Sequence, residues 1–208
     1  PYGDTKLAGE RMIASQAAAF GITAVALRYF NAAGADPSGL IGEAHDPETH
    51  LIPLAIAAAT GTGKPLTVFG DDFDTPDGTC LRDYIHVNDL ASAHVAALEA
   101  SLPVGAFQAV NVGNGQGRSV REVIEAVQQA TGRAVPYSIG ARRAGDPASL
   151  VADPSRGASL LGWKPQKSSL LQIVQDAAAW HRAQRYGRQA APAPTPAAHP
   201  HVRVVAAN

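Results

Sequence analysis

Cysteine is nearly absent from this sequence, and long apolar runs and a strong charge of either sign are missing as well. The single Cys80 has no partner for an internal disulfide bond, which is typical of proteins from a reducing compartment. No apolar run has the length of a membrane span, and we recognise no cleavable leader. The formal net charge of −1 gives no electrostatic reason to expect nucleic acid or an anionic membrane as a partner. The composition therefore favours a cytoplasmic enzyme or binding protein.

The usual patterns of a metal site are also missing. The seven histidines show no ligand spacing, and one cysteine is too few for a thiolate zinc site. The acidic stretch DDFDTPDG at residues 71–78 resembles a calcium loop, but Pro76 occupies a ligand position and no glutamate stands at the twelfth position. We therefore expect no metal.

Two glycine-rich stretches do not meet the requirements of nucleotide-binding motifs. GTGK at residues 61–64 is followed by Pro65, where a phosphate loop needs Ser or Thr and then a helix. GNGQG at residues 113–117 lacks the final spacing of a dinucleotide fingerprint, so we interpret it as a turn.

Predicted strands alternate with predicted helices, which indicates an α/β fold. Apolar residues at helical spacing predict helices over residues 4–20, 51–60, 90–101, 120–132 and about 168–184. Residues that suit a packed, pleated environment predict strands over 22–30, 66–70, 82–87, 107–113 and 135–139. Residues 31–50 between them are rich in Gly, Pro and Asp and predict a long loop, a kind that is usually functional or disordered.

Residues at the predicted helix ends have side chains that suit those positions. We expect Gly21 and Gly61 to end the first two helices. We expect Asp89 to cap the third helix. Ser119 and Glu122 have the spacing of a capping box at the start of the fourth.

Tyr2 and Lys6 stand one helical turn apart, so their side chains emerge on the same helix face. An ammonium group close to a phenol favours the phenolate, which makes such a pair a workable general base for an alcohol. Many exposed helices carry this spacing by chance, so the pair alone does not establish catalysis.

Longer stretches follow that pair: LRYFNAAGADPSG at 27–39, HLIP at 50–53, LTVFGDDFDTPDGTCLRDYIHVNDLA at 66–91 and ARRAGD at 141–146. With these stretches, the chain resembles the UDP-glucose (UDP-galactose) 4-epimerases, which belong to the extended short-chain dehydrogenase/reductase superfamily. The resemblance runs from Pro1 to about Arg182, and its most specific part covers residues 69–91.

The resemblance implies the C-terminal portion of an NAD-binding Rossmann-type α/β protein, with a smaller α/β substrate-binding domain. Residues 1–31 would be the last helix and strand of the NAD-binding domain. Residues 32–187 would be mainly the nucleotide-sugar-binding domain, from which some elements return to the Rossmann sheet, and 188–208 a disordered Ala/Pro-rich tail. In the family the glycine-rich NAD loop precedes the Tyr-Lys pair. We therefore expect a fragment with an exposed apolar first helix, poor solubility and little or no activity.

The implied activity is the interconversion of UDP-galactose and UDP-glucose through a transient 4-keto sugar, with NAD bound throughout. Tyr2 matches the base that takes the proton from the sugar 4-hydroxyl, and Lys6 matches the lysine that contacts the nicotinamide ribose. Phe30 matches a position beside the nicotinamide. Another NAD-dependent nucleotide-sugar epimerase, a dehydratase or an inactive remnant stays an alternative, and a homodimer is expected for the intact protein.

The resemblance also implies the residues that bind the UDP-sugar, which are Asn31, His50, Leu51, Thr67, Phe69, Arg82, Arg143, Asp146 and Leu150. Arg82 and Arg143 match the two arginines that hold the diphosphate, and guanidinium groups bind phosphate oxygens bidentately. The alternatives are a salt bridge of Arg82 with Asp83 or another carboxylate, and an exposed loop position for Arg143. Asn31 matches a diphosphate contact, and Asp146 matches the acceptor of the uridine ribose hydroxyls.

Thr67 and Phe69 match the strand beside the uracil, although an aromatic at Phe69 is equally compatible with a core position. His50 and Leu51 fall where the family usually has Asn-Leu, so His50 is a departure. Leu150 is a second departure, at a position that lines the sugar pocket. A bulky tyrosine there excludes N-acetylated sugars, and leucine is intermediate in volume.

Overall fold

A computed structural model describes residues 2–183, in which helices and strands alternate, and the predicted α/β class is confirmed. The helices are α1 (Tyr2–Phe20), α2 (Leu51–Thr60), α3 (Val87–Glu99), α4 (Val120–Thr131), α5 (Ser155–Leu161) and α6 (Leu170–Arg182). The strands are β1 (Ala24–Tyr29), β2 (Asn31–Ala33), β3 (Leu66–Phe69), β4 (Leu81–His86), β5 (Phe107–Val112), β6 (Gly117–Ser119), β7 (Tyr137–Gly140) and β8 (Ser149–Leu150). The predicted tail at 188–208 lies outside the described residues.

The strands form three small sheets. β5 returns from late in the chain to pair in parallel with β1, so that Ala24 lies opposite Phe107 and Tyr29 opposite Val112. β4 has β2 as a parallel neighbour and β6 as an antiparallel one, and β8 pairs with its first residues. β3 and β7 form the third, parallel pair. Parallel pairs require crossover connections, and the intervening helices supply them.

The largest core lies where α2, α4 and α6 pack on one another and on β3. Each helix contributes a stripe of buried apolar residues, such as Ile56 on α2, Val127 on α4 and Ile173 on α6. A second cluster joins β4 and β5 to α3 and includes Ile85, Val112 and Trp163. Both cores bury the apolar faces that the helical and strand periodicities predict.

Helix α1 is different, because Ala17 is its one buried residue. Met12 and Phe20 are 69% and 70% exposed, so the expected apolar surface on the first helix is observed. α1 contacts β1 and β5. The Arg28 guanidinium on β1 donates two hydrogen bonds to the Glu10 carboxylate, at 2.7 and 2.5 Å. A small apolar contact and one ion pair therefore connect this helix to the sheet.

Three predicted helix ends are confirmed. α1 and α2 end directly before Gly21 and Gly61, whose φ angles of 68° and 76° favour glycine. On α4 the Ser119 hydroxyl accepts from the Glu122 N–H, and the Glu122 carboxylate accepts from the Ser119 N–H. This is the predicted capping box.

The predicted cap of α3 is wrong. The helix begins at Val87, and His86 caps it, since its Nδ1 accepts the Asn88 N–H at 3.0 Å. Asp89 instead lies buried in the first turn, where it accepts from the backbone N–H groups of residues 166 and 167 and from the Ser168 hydroxyl. Its carboxylate therefore fixes a distant loop rather than the helix end.

The short elements were not predicted: β2 within the expected long loop, β6 and β8 beside β4, and the seven-residue α5. Strands of two or three residues depend on their neighbours for hydrogen bonds, so they have little signal of their own. Among the described helices, none combines the length and the apolar character that crossing a membrane requires.

Candidate functional site

A cavity of about 850 Å³ opens beside β3 and β4. Its wall combines residues after β1, the first turn of α2, the strands β3 and β4, and the loop between β7 and β8. Nine of the residues implicated by the sequence line it: Phe30, Asn31, His50, Leu51, Thr67, Phe69, Arg82, Arg143 and Asp146. Segments that are far apart in the chain thus contribute to one concave site.

Strand alternation decides which residues of β4 face the cavity. Arg82 and Tyr84 line it, whereas Asp83 and Ile85 between and after them are fully buried on the other side. Asn31 lies opposite Tyr84 in the parallel pairing of β2 with β4, which brings it to the same wall.

Arg82 forms an ion pair with Asp146, in which its Nη2 donates to the carboxylate. Its Nη1 donates to the backbone oxygens of Leu81 and Pro147, at 2.7 and 3.0 Å. The salt bridge considered for Arg82 therefore exists, and its partner is Asp146 rather than Asp83. These bonds fix the guanidinium at the cavity wall, beside a carboxylate that is also part of the wall.

Asp83 has a structural role. Its carboxylate accepts backbone N–H groups of Asn114, Gly115 and Ala152, at 2.8, 2.8 and 3.1 Å. Gly113 packs against it so closely that an added Cβ would lie 2.7 Å from a carboxylate oxygen. The GNGQG stretch is thus a turn wrapped around a buried carboxylate, as the turn interpretation predicted.

Arg143 stacks its guanidinium over the Phe69 ring, at 4.1 Å from the ring centroid. The neighbouring Arg142 stacks in the same way on Phe73, at 4.2 Å, and forms an ion pair with Asp72. Stacking uses the face of a guanidinium and leaves its N–H groups at the edge, where an anion can accept from them. Phe69 is 37% exposed, so it is a surface of the cavity and not a core residue.

Tyr2, Lys6 and Leu150 do not belong to the cavity lining. The Lys6 ammonium lies 5.2 Å from the Tyr2 ring centroid, so the two side chains share one helix face as predicted. Tyr2 is 77% exposed on α1. Leu150 is half-exposed on β8, where it lies opposite Arg82 of β4.

His50 lies between two carboxylates at the cavity wall. Its Nδ1 is 2.6 Å from a Glu43 oxygen and 3.0 Å from a Glu48 oxygen. His45 joins them, so that these two histidines and two glutamates place one ligand atom each within 4.8 Å of one another. The predicted lack of ligand spacing rested on histidines and cysteines, whereas two of the four side chains in this cluster are glutamates, Glu43 and Glu48.

The sequence did not indicate three further residues of the cavity wall whose pKa values are shifted by their surroundings. These are Cys80, Tyr84 and His181. Burial raises the pKa of the Cys80 thiol and of the Tyr84 phenol, so both are held neutral. Burial lowers the pKa of His181, against the opposing effect of the Glu48 carboxylate. His181 reaches the wall from α6, and no local sequence pattern links that helix to the loop before α2.

The residues implicated in NAD binding offer a phenol, an ammonium and an aromatic ring, at Tyr2, Lys6 and Phe30. Within residues 2–183, the GNGQG turn leads from β5 into β6 and not into a helix N-terminus, so it does not provide a pyrophosphate site. Of these three residues, Phe30 lines the cavity, whereas Tyr2 and Lys6 lie outside its lining.

Comparison with known proteins finds a matching family and similar epimerases. The family model of the NAD dependent epimerase/dehydratase family matches residues 1–113. A UDP-glucose 4-epimerase of Halalkalibacterium halodurans is 50% identical over 187 residues, which cover 90% of this chain and 56% of that protein.

Solved structures agree with that result. The UDP-glucose 4-epimerase from Brucella ovis in complex with NAD has a TM-score of 0.80 at 54% identity, covering 86% of this chain and 55% of that one. The enzyme from Bifidobacterium longum in complex with NAD+ and UDP has a TM-score of 0.82 at 41% identity, covering 88% and 55%. The chain thus spans about half the length of the relatives it matches.

Proposed function

Because the chain belongs to the NAD dependent epimerase/dehydratase family, we propose that it forms the UDP-sugar-binding part of a UDP-glucose 4-epimerase. The observation that carries this proposal is the cavity wall itself. Two guanidinium groups, a carboxylate and an exposed aromatic ring, from Arg82, Arg143, Asp146 and Phe69, face one concave space of about 850 Å³. Positive groups beside an aromatic surface match a nucleoside diphosphate, which has a charged linker and a flat base.

Each polar group of that wall has a complementary group on a UDP-sugar. Arg82 and Arg143 donate to the diphosphate oxygens, and Asn31 adds a neutral donor. The Arg82 guanidinium is already oriented by the backbone oxygens of Leu81 and Pro147, which reduces the entropy lost on binding. Asp146 accepts from the uridine ribose hydroxyls while it stays paired with Arg82.

The remaining implicated residues surround the base and the middle of the ligand. Thr67 and Phe69 on β3 lie beside the uracil, and Arg143 stacks on the Phe69 ring. His50 and Leu51, at the start of α2, contact the diphosphate or the sugar. His50 provides an N–H donor here where the family usually has an asparagine amide.

For catalysis we propose that Tyr2 removes the proton from the sugar 4-hydroxyl and later returns it, and that Lys6 stabilises the phenolate from the same helix face. NAD would supply hydride acceptance and return at carbon 4, and Tyr2, Lys6 and Phe30 would hold its nicotinamide ribose end. Phe30 lines the cavity and would lie beside the nicotinamide. Tyr2 is exposed on α1 and outside the cavity lining, and the relatives are nearly twice as long. We therefore propose that the complete reaction needs residues of the relatives that this chain does not span, and that the chain alone has little or no activity.

Leu150 and the exposed helices bear on sugar choice and assembly. Leucine at position 150 is intermediate in volume and cannot hydrogen-bond, so we propose that the intact enzyme turns over UDP-glucose and UDP-galactose. The exposed apolar side chains Met12 on α1 and Val95 and Leu98 on α3 support a homodimer of the intact protein.

A two-part experiment tests the proposal. Calorimetric titration of the purified chain with UDP should show binding, and uridine without phosphates should bind more weakly because the arginines lose their partners. A chimera that joins the unmatched first part of the Halalkalibacterium halodurans relative to this chain should interconvert UDP-galactose and UDP-glucose. Tyr2→Phe in the chimera should abolish turnover and preserve UDP binding.

The proposal fails if the folded chain does not bind UDP, or if a folded, NAD-loaded chimera binds UDP-galactose without converting it. Comparing UDP-galactose with UDP-N-acetylgalactosamine in an active chimera tests the role of Leu150. Equal rates would exclude a strict preference.

A further inference from the structure

The loop before α2 contains four metal-binding side chains in the order Glu43-x-His45-x-x-Glu48-x-His50. One atom from each lies within 4.8 Å of all the others. We propose that this loop binds a divalent transition-metal ion, and that Zn²⁺ is the ion its ligands fit best. The inference depends on the geometry of the loop and is independent of the proposed reaction.

The ligand chemistry favours zinc over the alkaline-earth ions. Two imidazole nitrogens and two carboxylate oxygens form a mixed set of borderline and hard donors, whereas Ca²⁺ and Mg²⁺ prefer sites made of oxygen alone. Four protein ligands suit the tetrahedral coordination of a structural zinc site. With neutral imidazoles the two carboxylates balance the charge of a divalent ion.

The distances are close to those of a coordinated ion. His50 Nδ1 lies 2.6 Å from Glu43 and 3.0 Å from Glu48, and His45 Nδ1 lies 3.9 Å from Glu48. Ligands at ~2.1 Å from a tetrahedral ion stand about 3.4 Å from one another. The Glu43–His50 pair must therefore open by about 1 Å, and the His45–Glu48 pair must close by half of that. Both histidine side chains are more than half exposed, so they have room to rotate.

The loop backbone is held in place by α6. The Trp180 indole N–H donates to the Glu43 backbone oxygen at 2.7 Å. Gly42 lies directly against the same indole, since a Cβ there would approach the ring to 2.2 Å. One end of the loop therefore packs on a buried tryptophan without needing a bound ion.

The Glu48 carboxylate is oriented by its own surroundings. One of its oxygens accepts the backbone N–H groups of Thr49 and His50, at 2.7 and 2.8 Å. Hydrogen bonds of this kind orient ligating carboxylates in metal sites. The same oxygen lies 3.0 Å from His50 Nδ1 and 3.9 Å from His45 Nδ1, so these hydrogen bonds hold it beside both imidazoles.

An ion at this position would connect the two sides of the loop. Glu43, Glu48 and His50 line the large cavity, and His45 lines a neighbouring hollow beside Trp180. Coordination through Nδ1 keeps the His50 Nε2 protonated, so the ring would provide a fixed hydrogen-bond donor at the cavity wall. The ion would therefore order a loop that forms part of the cavity.

Zinc titration of the chain tests this proposal. His199 and His201, which lie outside the described residues, are first replaced by alanine so that they cannot supply ligands. After treatment with EDTA, this protein is titrated with ZnCl2 by calorimetry, and its Tm is measured with and without zinc. We expect one zinc ion per chain, a rise in Tm and much weaker binding of MgCl2. Co²⁺ in the same site should give the visible absorption of a tetrahedral ion.

Variants locate the ion. His45→Ala and Glu43→Gln should each weaken zinc binding by at least about tenfold, because each removes one ligand. Their matched controls, His94→Ala and Glu99→Gln on the exposed side of α3, should bind zinc as the parent does. Far-UV circular dichroism and the metal-free Tm report whether each variant is folded, and Glu43→Gln preserves the side-chain shape. The proposal is overturned if zinc does not bind, or if it binds equally well to both folded loop variants.

Discussion

The core between α2, α4 and α6 and the outer helix α1 show how differently similar apolar patterns behave in one molecule. Both regions have apolar residues at helical spacing. In the core, residues such as Val127 and Ile173 are completely buried, whereas on α1 Met12 is 69% exposed and Ala17 alone is buried. Helical periodicity thus predicts which face of a helix is apolar, but burial depends on whether another element covers that face.

The two regions also differ in the interactions that attach a helix to the rest of the fold. α4 and α6 pack on each other through apolar side chains, which gain free energy in proportion to the area removed from water. α1 relies on a small contact around Ala17 and on the Arg28–Glu10 ion pair. Substitutions that remove each kind of interaction should therefore differ in size.

The largest expected effect is in the core. Ile173→Ala removes a fully buried side chain and leaves a cavity, so it should lower the free energy of unfolding by about 2–5 kcal/mol. Met12→Ala on α1 should change it by less than about 0.5 kcal/mol. Urea denaturation followed by circular dichroism measures both values. Similar losses in the two variants would contradict the contrast between the regions.

The next effect concerns the buried carboxylate under the GNGQG turn. Asp83→Asn replaces an acceptor of three backbone N–H groups by an amide that directs its own N–H groups toward one of them. The free energy of unfolding should fall by about 1.5–3 kcal/mol. Asp74→Asn, in the exposed part of the acidic loop, is the control and should be nearly neutral. An unaffected Asp83→Asn protein would show that the turn does not depend on the charge.

A third prediction separates binding from stability. Arg143→Ala should weaken UDP binding by at least about tenfold, the equivalent of one lost charged hydrogen bond. Its effect on unfolding should be small, because the side chain stacks on an exposed ring. Arg11→Ala on α1 provides the matched control and should leave UDP binding unchanged. If calorimetry gives the parent protein and Arg143→Ala the same affinity for UDP, Arg143 does not belong to the proposed site.

The smallest effect should come from the polar link of α1. The Arg28 guanidinium, chiefly through its hydrogen bonds, lowers the pKa of Glu10 from its ordinary value of 4.5. A lowered folded-state pKa stabilises the protein above the unfolded-state pKa, and this stability is lost as the pH falls through the folded value. Glu10→Gln should therefore destabilise the protein at pH 7 by less than about 1 kcal/mol, since the pair is partly exposed and screened by solvent.

The pH dependence of the unfolding free energy tests the Arg28–Glu10 pair. The difference in unfolding free energy between the parent and Glu10→Gln should shrink when the pH is lowered below 4.5, and salt should reduce it at pH 7. A difference that stays constant with pH would mean that the carboxylate charge is not involved.

Local signals predicted most of the long elements. The capping box of Ser119 and Glu122 and the glycines after α1 and α2 act within one helical turn, so they are legible in the sequence. The cap of α3 was misassigned because Asp89, a good capping residue by type, is used by the loop at 166–168 instead. The sequence does not show this competition, because residues 166–168 come 77 to 79 positions after Asp89 in the chain, beyond β5, α4 and α5.

The candidate site likewise contains residues that the sequence identified and residues that only the structure revealed. The motif stretches identified nine residues that the fold brings to one cavity wall. They did not indicate that Glu43, His45, Glu48 and His50 form a cluster, or that His181 approaches them from α6. The roles of Tyr2, Lys6 and Leu150 stay predictions.

By itself, the sequence determined the α/β class, the helix ends that local capping sets and the residue types able to bind a nucleoside diphosphate. Only the tertiary structure decided that Arg82 pairs with Asp146 rather than with the adjacent Asp83, and that Asp89 binds the loop at 166–168 instead of capping α3. The physical reason is the range of the interactions. Caps and periodicity act between residues a few positions apart, whereas ion pairs such as Arg82–Asp146 join residues 64 positions apart and exist only once the strands have assembled.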